Sequence, residues 1–533
     1  MGGFDNFKGH MINPREWLQT RRNLLDQVKS QVQVRLGPMP VALQRYAKSL
    51  DRDFEGRWRP SSEPKLEQAL AKAKVVLSGD FHAYAQSQRA HIRVLRDHVG
   101  HRPVVLVLEC MAEKYDAEVV RYLAGEVSEA RFLSLVEWEK NWGFPWENYR
   151  PLFEIARDRN FKIQGLKSTT KASLRQQDMK LARRLEQIHR KNPDAMVFVV
   201  IGEWHIASSH LPKMLRGTFK EASDIVVLHQ DVEQLYFKLA KRGQESSVEI
   251  LANGRGGFCT MVSPPWMKWQ SYLMYLEHAY DRDLQEDIAI DYTDHLVSLI
   301  ELLEADLKIS TRKAAVQVYC PNSKTSLARL KLAFPAKFQR ALVYHLEHDL
   351  SFYIPQRGWF YLSRPTINHA SSLAGQWVHA FLSQRQRLLW NLPNDFLGLV
   401  WVEAVGFFFS KWINPKRKAE TLASVRLQLA GRHPKERGRK ALLLALDHRL
   451  SEVLWVQTGR LRRAQFKPRD MTAYLDAARI VGSMLGERLF QKVRSRTISL
   501  NQLMSYLRVR VDSKDFAKFY WQMIRETEHD QAL

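Results

Sequence analysis

Cysteine is scarce: Cys110, Cys259 and Cys320 are the only three in 533 residues, and no two stand close enough to form a CxxC pair. So sparse and odd a set argues against a disulfide scaffold, offers no ligand spacing for zinc, and suits a reducing compartment. The amino-terminal run MGGFDNFKGHMINPREW has no apolar signal core and no lipobox-like cysteine, and Asn6 breaks the myristoylation pattern. Long apolar runs are also missing. The most apolar window, Phe396 to Trp412, is marginally short for the roughly 20 residues that span a bilayer, and Glu403 would be costly in lipid. The expected location is cytoplasmic, with at most one helix lying peripherally against a membrane. Glycine (25) and proline (20) are too few for a collagen-like or low-complexity chain. No repeat with a period of about 20–50 residues stands out.

Acidic residues are outnumbered, 57 against 81 Lys and Arg, for a net charge of +24. That balance favours anionic partners: nucleic acid, anionic lipid or acidic ligands. The densest cationic stretch, WINPKRKAETLASVRLQLAGRHPKERGRK within 411–440, follows the apolar window. It reads either as a solvated face or as an attachment to an anionic membrane surface, where each basic residue contributes about 1 kcal/mol. No RNP, zinc-finger or helix-turn-helix signature accompanies it, so nucleic acid is not the expected partner.

At roughly 100–200 residues per domain, the length predicts two to four domains. Residues 1–65 read as a helical segment, with Leu18, Leu25, Val28 and Val32 at helical spacing. Across 66–255, short apolar strands (Val75–Ser78, Val104–Leu108, Phe161–Gly165, Met196–Ile201 and Ile225–Leu228) alternate with helices (Ala85–His98, Tyr115–Leu123, Ser128–Trp138, Tyr149–Arg159 and Leu174–His189). Such alternation predicts an α/β domain, a parallel sheet covered on both faces. Residues 256–533 read as mainly helical, with a small β element at Val316–Tyr319, Ser351–Pro355 and Trp359–Leu362, the last two joined by the turn Gln356-Arg357-Gly358.

In open α/β sheets ligands bind at the carboxyl ends of the strands. The five exits here carry Gly79-Asp80-Phe81-His82, Glu109, Lys167-Ser168-Thr169, Gly202-Glu203-Trp204-His205 and His229-Gln230-Asp231. The two GxxH elements repeat one pattern: apolar strand, glycine, carboxylate, aromatic, histidine. Together with Glu109 they supply two imidazoles and three carboxylates, a set that can hold a divalent metal or transfer protons. The competing reading of any one of these residues is structural; Asp80, for instance, can cap the helix that follows.

The runs VVLSGDFHAYAQSQRAH, VVLVLECM, FLSLVEWEKNWGFPWENYRPLFEIAR and VFVVIGEWHIASSHLP, spread over about residues 66–240, together resemble a ChaN-type domain. That domain belongs to the haem-binding uptake/Tiki superfamily, which also includes erythromycin esterase-like and TraB-like proteins. The resemblance implies one of two chemistries. ChaN-like proteins are associated with haem or iron acquisition and are typically exported lipoproteins; other members are hydrolases using the GxxH histidines and acidic residues, in some cases with a divalent metal. The matching positions are Asp80, His82, Glu109, Glu203 and His205, with Tyr149 as a pocket candidate. Two departures stand out: Asp80 occupies a position where the family usually has Glu, and the lipoprotein signal is missing.

On the haem reading, the axial ligand comes from Tyr84, Tyr149, His82 or His205, with basic residues pairing the propionates. On the hydrolytic reading, His82 and His205 are metal ligands (with Asp80) or proton-transfer groups, Glu109 or Glu203 is the base that activates water, and Asp80 orients a histidine. A basic scaffold on membranes or nucleic acid, with the site vestigial, is the third. The aromatic segment from Gly256 to Tyr272 reads as a lid over the sheet or as a domain seam, Cys259 as buried filler, and His369 and Glu403 as satisfied interior groups.

Overall fold

The computed structural model describes residues 14–167, 173–283, 292–311, 316–321, 324–431, 436–461 and 466–528. Its contacts divide the chain into two compact units: Leu24–Leu276, and Glu277–Leu533 together with the residues before Leu24. The first unit reaches beyond 66–255 on both sides, because segments flanking that span supply an edge of its sheet and helices packed on it.

The sheet of the first unit has eight strands: β1 (Arg59–Pro60), β2 (Val75–Asp80), β3 (Val104–Ala112), β4 (Lys162–Lys167), β5 (Met196–Gly202), β6 (Ile225–Gln230), β7 (Ile250–Ala252) and β8 (Gly257–Thr260). The five expected strands are β2 to β6, and they pair in parallel in the order β6-β2-β5-β3-β4. Beyond β6 the sheet continues as β8, parallel to it, then β7, antiparallel to β8, and β1, antiparallel to β7. Sequence patterning does not find these last three. They are two to four residues long, too short for alternation to show.

Alternate residues of each strand enter different cores. Val76, Leu106, Phe198 and Val200 pack on one face, with Phe132, Tyr149, Leu152 and Phe153. Val75, Leu77, Val105, Val107, Val197, Val199 and Ile201 pack on the other, with Leu181, Leu185 and Ile188 of helix Leu174–Lys191. Each fully buried side chain of this kind contributes about 1.5–3 kcal/mol. The two-sided apolar strands and their covering helices thus fix the sheet, and the strand order follows.

The second unit is mainly helical with a three-stranded sheet: β9 (Gln317–Tyr319), β10 (Phe352–Ile354) and β11 (Trp359–Tyr361) in the order β10-β11-β9, with Gly358 at φ +65° in the turn. The apolar window forms helix Phe396–Ile413, which by length and composition alone is long and apolar enough to cross a membrane, yet 89% of it is buried inside the unit. It packs between Ile367–Leu382 and Met471–Arg494. Close approach depends on glycine: a Cβ on Gly375 would lie 2.6 Å from Phe409 Cβ, and one on Gly486 would collide with the carbonyl oxygen of Ala404.

The cationic stretch behind this helix is not a continuous outer face. Lys411 and Lys416 are buried, and Lys411 pairs with Glu487. Arg417 donates to the Asn368 carbonyl and lies 4.7 Å from the Phe407 ring centre. These cations turn inward, which removes them from the membrane-attachment surface expected of 411–440; residues 432–435 lie outside the described set.

Gly486→Ala is expected to destabilise the helical unit by about 1–3 kcal/mol through overpacking. A urea midpoint equal to wild type would show that the two helices do not pack this closely.

Candidate functional site

The order β6-β2-β5-β3 makes the first and fourth expected strands neighbours, so the two GxxH exits lie side by side with Glu109 beyond β5. Register sets them one residue out of step: Gly79 pairs with Ile201, and Asp80 with Gly202. The two glycines therefore serve different purposes. A Cβ on Gly202 would lie 3.3 Å from His82 Nε2 and 3.4 Å from Glu109 Oε2. Its bare backbone is the floor of the site, and its N–H donates to Glu109 Oε2 at 2.6 Å. A Cβ on Gly79 would instead meet Ile206 Cδ1 at 2.7 Å.

Glu109 comes from the stretch of β3, between Leu108 and Ala112, where the register with β4 shifts. Such irregularities re-aim a side chain out of the ladder. Its carboxylate lies between two imidazoles, with Oε2 4.0 Å from His82 Nε2 and Oε1 3.6 Å from His205 Nε2. The side chains of His82, Glu109 and His205 remain 25%, 20% and 13% exposed, so solvent reaches all three.

Each imidazole is fixed from behind by a buried carboxylate that also accepts from a tyrosine. Asp80 Oδ2 lies 2.9 Å from His82 Nδ1 and accepts from the Tyr149 hydroxyl at 2.8 Å. Gln88 donates to Asp80 Oδ1 at 2.7 Å, and His91 Nε2 is 3.3 Å from the same oxygen. On the other side Asp178 Oδ1 lies 2.6 Å from His205 Nδ1, and Asp178 Oδ2 accepts from the Tyr46 hydroxyl at 2.7 Å. An ionised carboxylate only accepts, so each Nδ1 donates its proton there, and each Nε2 is left facing Glu109, where it can carry a second proton.

Burial opposes ionisation of Asp80, but the hydrogen bonds from His82 and His91 outweigh it and hold the carboxyl well below its usual range. Burial also works against the His82 cation, but Asp80, then Glu109 and Glu203, more than compensate and raise its pKa. His205 follows the same pattern: desolvation lowers it, while Asp178 and Glu109 raise it above the ordinary value. Burial, then the adjacent aspartates, push both tyrosine hydroxyls upward, so they stay protonated and donating. Two basic imidazoles thus face one carboxylate, and their titrations are coupled.

Tyr46 and Asp178 are the members that motif reading misses. Asp178 lies on the apolar stripe of its helix, with Leu181, Ala182, Leu185 and Ile188; a lone acid on a buried stripe is the available signal. Tyr46, on helix Val41–Arg52, carries no such signal.

Other expected members stand elsewhere. Glu203, one step past the Asp80–Gly202 pair, pairs with Lys268, 3.1 Å away, while its charge still acts on His82. Both oxygens of Asp80 accept hydrogen bonds behind His82. Tyr149 is buried with its hydroxyl on Asp80, and the buried Tyr84 hydroxyl faces Ser263 and Asp231; neither is placed to bind a cofactor. Asp231 anchors the backbone N–H groups of Val262 and Ser263 at 2.7 and 2.8 Å. His229 packs on Phe54 and Trp58, and burial depresses its pKa to about 3. Lys167 donates to the Asn141 carbonyl; Ser168 and Thr169 lie outside the described residues. The aromatic segment does reach the exit of β2, where Phe81 meets Trp269 and Tyr272, each at 5.8 Å, and Ser271 donates to Ala83 O at 2.6 Å.

Among the described residues no group of three or more His, Cys, Asp or Glu side chains is arranged to hold a metal ion. For haem, the tyrosines do not fit as axial ligands; the Nε2 atoms of His82 and His205 are the suitable donors.

Residues 66–173 match the family model described as haem-binding uptake, Tiki superfamily, ChaN, which agrees with the resemblance read from the motifs and is compatible with a haem-related small-molecule ligand. No curated protein and no solved structure matches the chain. The matched segment contains Asp80, His82, Glu109 and Tyr149; Tyr46, Asp178 and His205 lie outside it.

Asp178→Asn removes the charge behind His205. The histidine is expected to titrate at lower pH than in the wild type, followed by its side-chain NMR shifts; an unchanged midpoint would remove Asp178 from the site.

Proposed function

We propose that the cluster around Glu109 is a hydrolytic acid–base centre acting on an ester or amide. One observation supports it above the rest: a solvent-reachable carboxylate lies between two Nε2 atoms whose imidazoles are each oriented by a buried aspartate. Glu109 takes a proton from water as its oxygen attacks the substrate carbonyl. The imidazolium of His82 or His205 gives its Nε2 proton to the departing oxygen or nitrogen. The proton held by Glu109 then returns to that imidazole. Asp80 and Asp178 keep the rings in place and favour their charged form. The mechanism uses only groups on this chain; a screen run with chelator and with added divalent ions reads whether an ion takes part.

Glu109→Gln is expected to lower kcat by about 10²–10⁴-fold, the range for loss of a general base. Because the imidazolium is the acid and both histidine pKa values are raised, kcat/KM should hold through the ordinary histidine range and fall only at higher pH. Turnover of an ester and peptide panel unaffected by Glu109→Gln contradicts this reading.

The family match favours a second reading, a haem- or iron-related ligand at the same place, with His82 or His205 as the iron-facing group. Haem, if bound there, would supply a redox-active iron that His82 or His205 would hold. Haemin titration should then give a saturable Soret shift that is lost in His82→Ala and His205→Ala; no shift in the wild type refutes it. The three cysteines, all buried free thiols, are in keeping with the cytoplasmic location we propose.

A further inference from the structure

The helical unit buries a guanidinium that its own residues only partly satisfy. Arg385 follows helix Ile367–Leu382 and is 7% exposed. Its Nη1 donates to the Arg387 carbonyl at 3.1 Å, and its Cζ lies 5.9 Å from the Tyr353 ring centre. Its Nε and Nη2 are buried with no hydrogen-bond partner among the described residues. A buried cation with two unpartnered nitrogens is costly unless something accepts from them.

Arg385 lines a small cavity of about 30 Å³, together with Arg479, Gln376, His345 and Glu403. Its wall also includes Tyr353, Trp390 and Leu388. That volume is enough to admit a water or a small ion.

The charges around it do not balance. Among the described residues Glu403 is the sole carboxylate lining the cavity, and two other guanidiniums act on it: Arg479, with Nε 3.9 Å from Oε1, and Arg417, which lies outside the lining. Asp395, the nearest acid in sequence, is taken by Arg387 at 2.9 Å. His345 is held neutral, its pKa pushed down to about 3 by burial and Arg479. Two guanidiniums, Arg385 and Arg479, thus line the cavity against one carboxylate that Arg417 also acts on from outside the lining, and the unpartnered hydrogens belong to Arg385.

We propose that this cavity is a site for one small monovalent anion, chloride under cellular conditions, held by the Nε and Nη2 hydrogens of Arg385. The fork geometry of a guanidinium suits a single acceptor placed between two N–H groups, and its weak hydration suits a buried pair. An anion bound only to the folded unit stabilises it in proportion to occupancy.

The test uses the full chain at constant ionic strength, with sodium gluconate exchanged stepwise for sodium chloride. Tm should rise saturably with chloride and with bromide, and crystals grown in bromide should show an anomalous peak beside Arg385. Arg385→Met should abolish the halide dependence. Should that variant fail to fold, Glu403→Gln keeps the test open: removing the competing negative charge should lower the halide midpoint at least threefold. A Tm indifferent to the exchange, a cavity holding water alone in bromide, or an unmoved midpoint in Glu403→Gln overturns the proposal.

Discussion

The negative charge of Glu109, set between two imidazoles, is the interaction on which the rest of the site depends. At about 4 Å and an effective dielectric of about 20, each charged contact would be worth on the order of 4 kcal/mol. That is enough to bias both rings toward their cationic form. Neither ring can turn away to relieve the arrangement, because Asp80 and Asp178 hold the opposite nitrogens. Gly202 completes the constraint: any side chain there would press on His82 and Glu109 together.

Topology makes this meeting possible. The two GxxH segments are separated by more than a hundred residues, and only a sheet ordered β2-β5-β3 places both exits beside Glu109. The apolar faces of those strands decide the order by their packing, so the chemistry depends on the burial of residues such as Val76, Leu106, Val199 and Ile201. Half of the clamp arrives from elsewhere. Tyr46 precedes the sheet's central strands and Asp178 rides on the covering helix, outside the segment that matches the ChaN model.

Four of the five expected strands were legible because they are apolar on both faces, the edge strand β4 less so with Lys162, Gln164 and Lys167, and Asp80, His82, Glu109 and His205 because they follow or end those strands. Glu203 shows what motif symmetry hides. Two identical patterns offset by one register step point their carboxylates in different directions, so Glu203 meets Lys268 while Asp178 takes the role opposite Asp80. Tyr149 is legible as a position, but nothing in its spacing says that its hydroxyl donates to Asp80. The same limit applied to 411–440, where composition gave a basic run and packing turned Lys411 and Arg417 inward.

The most direct measurement is the pH titration of the His82 and His205 side chains by NMR in the wild type and in Glu109→Gln. With Glu109 seated between them, both midpoints fall together when its charge is removed. A fall in one alone, or in neither, would mean that the carboxylate does not bridge the two rings, and the account of the site would not stand.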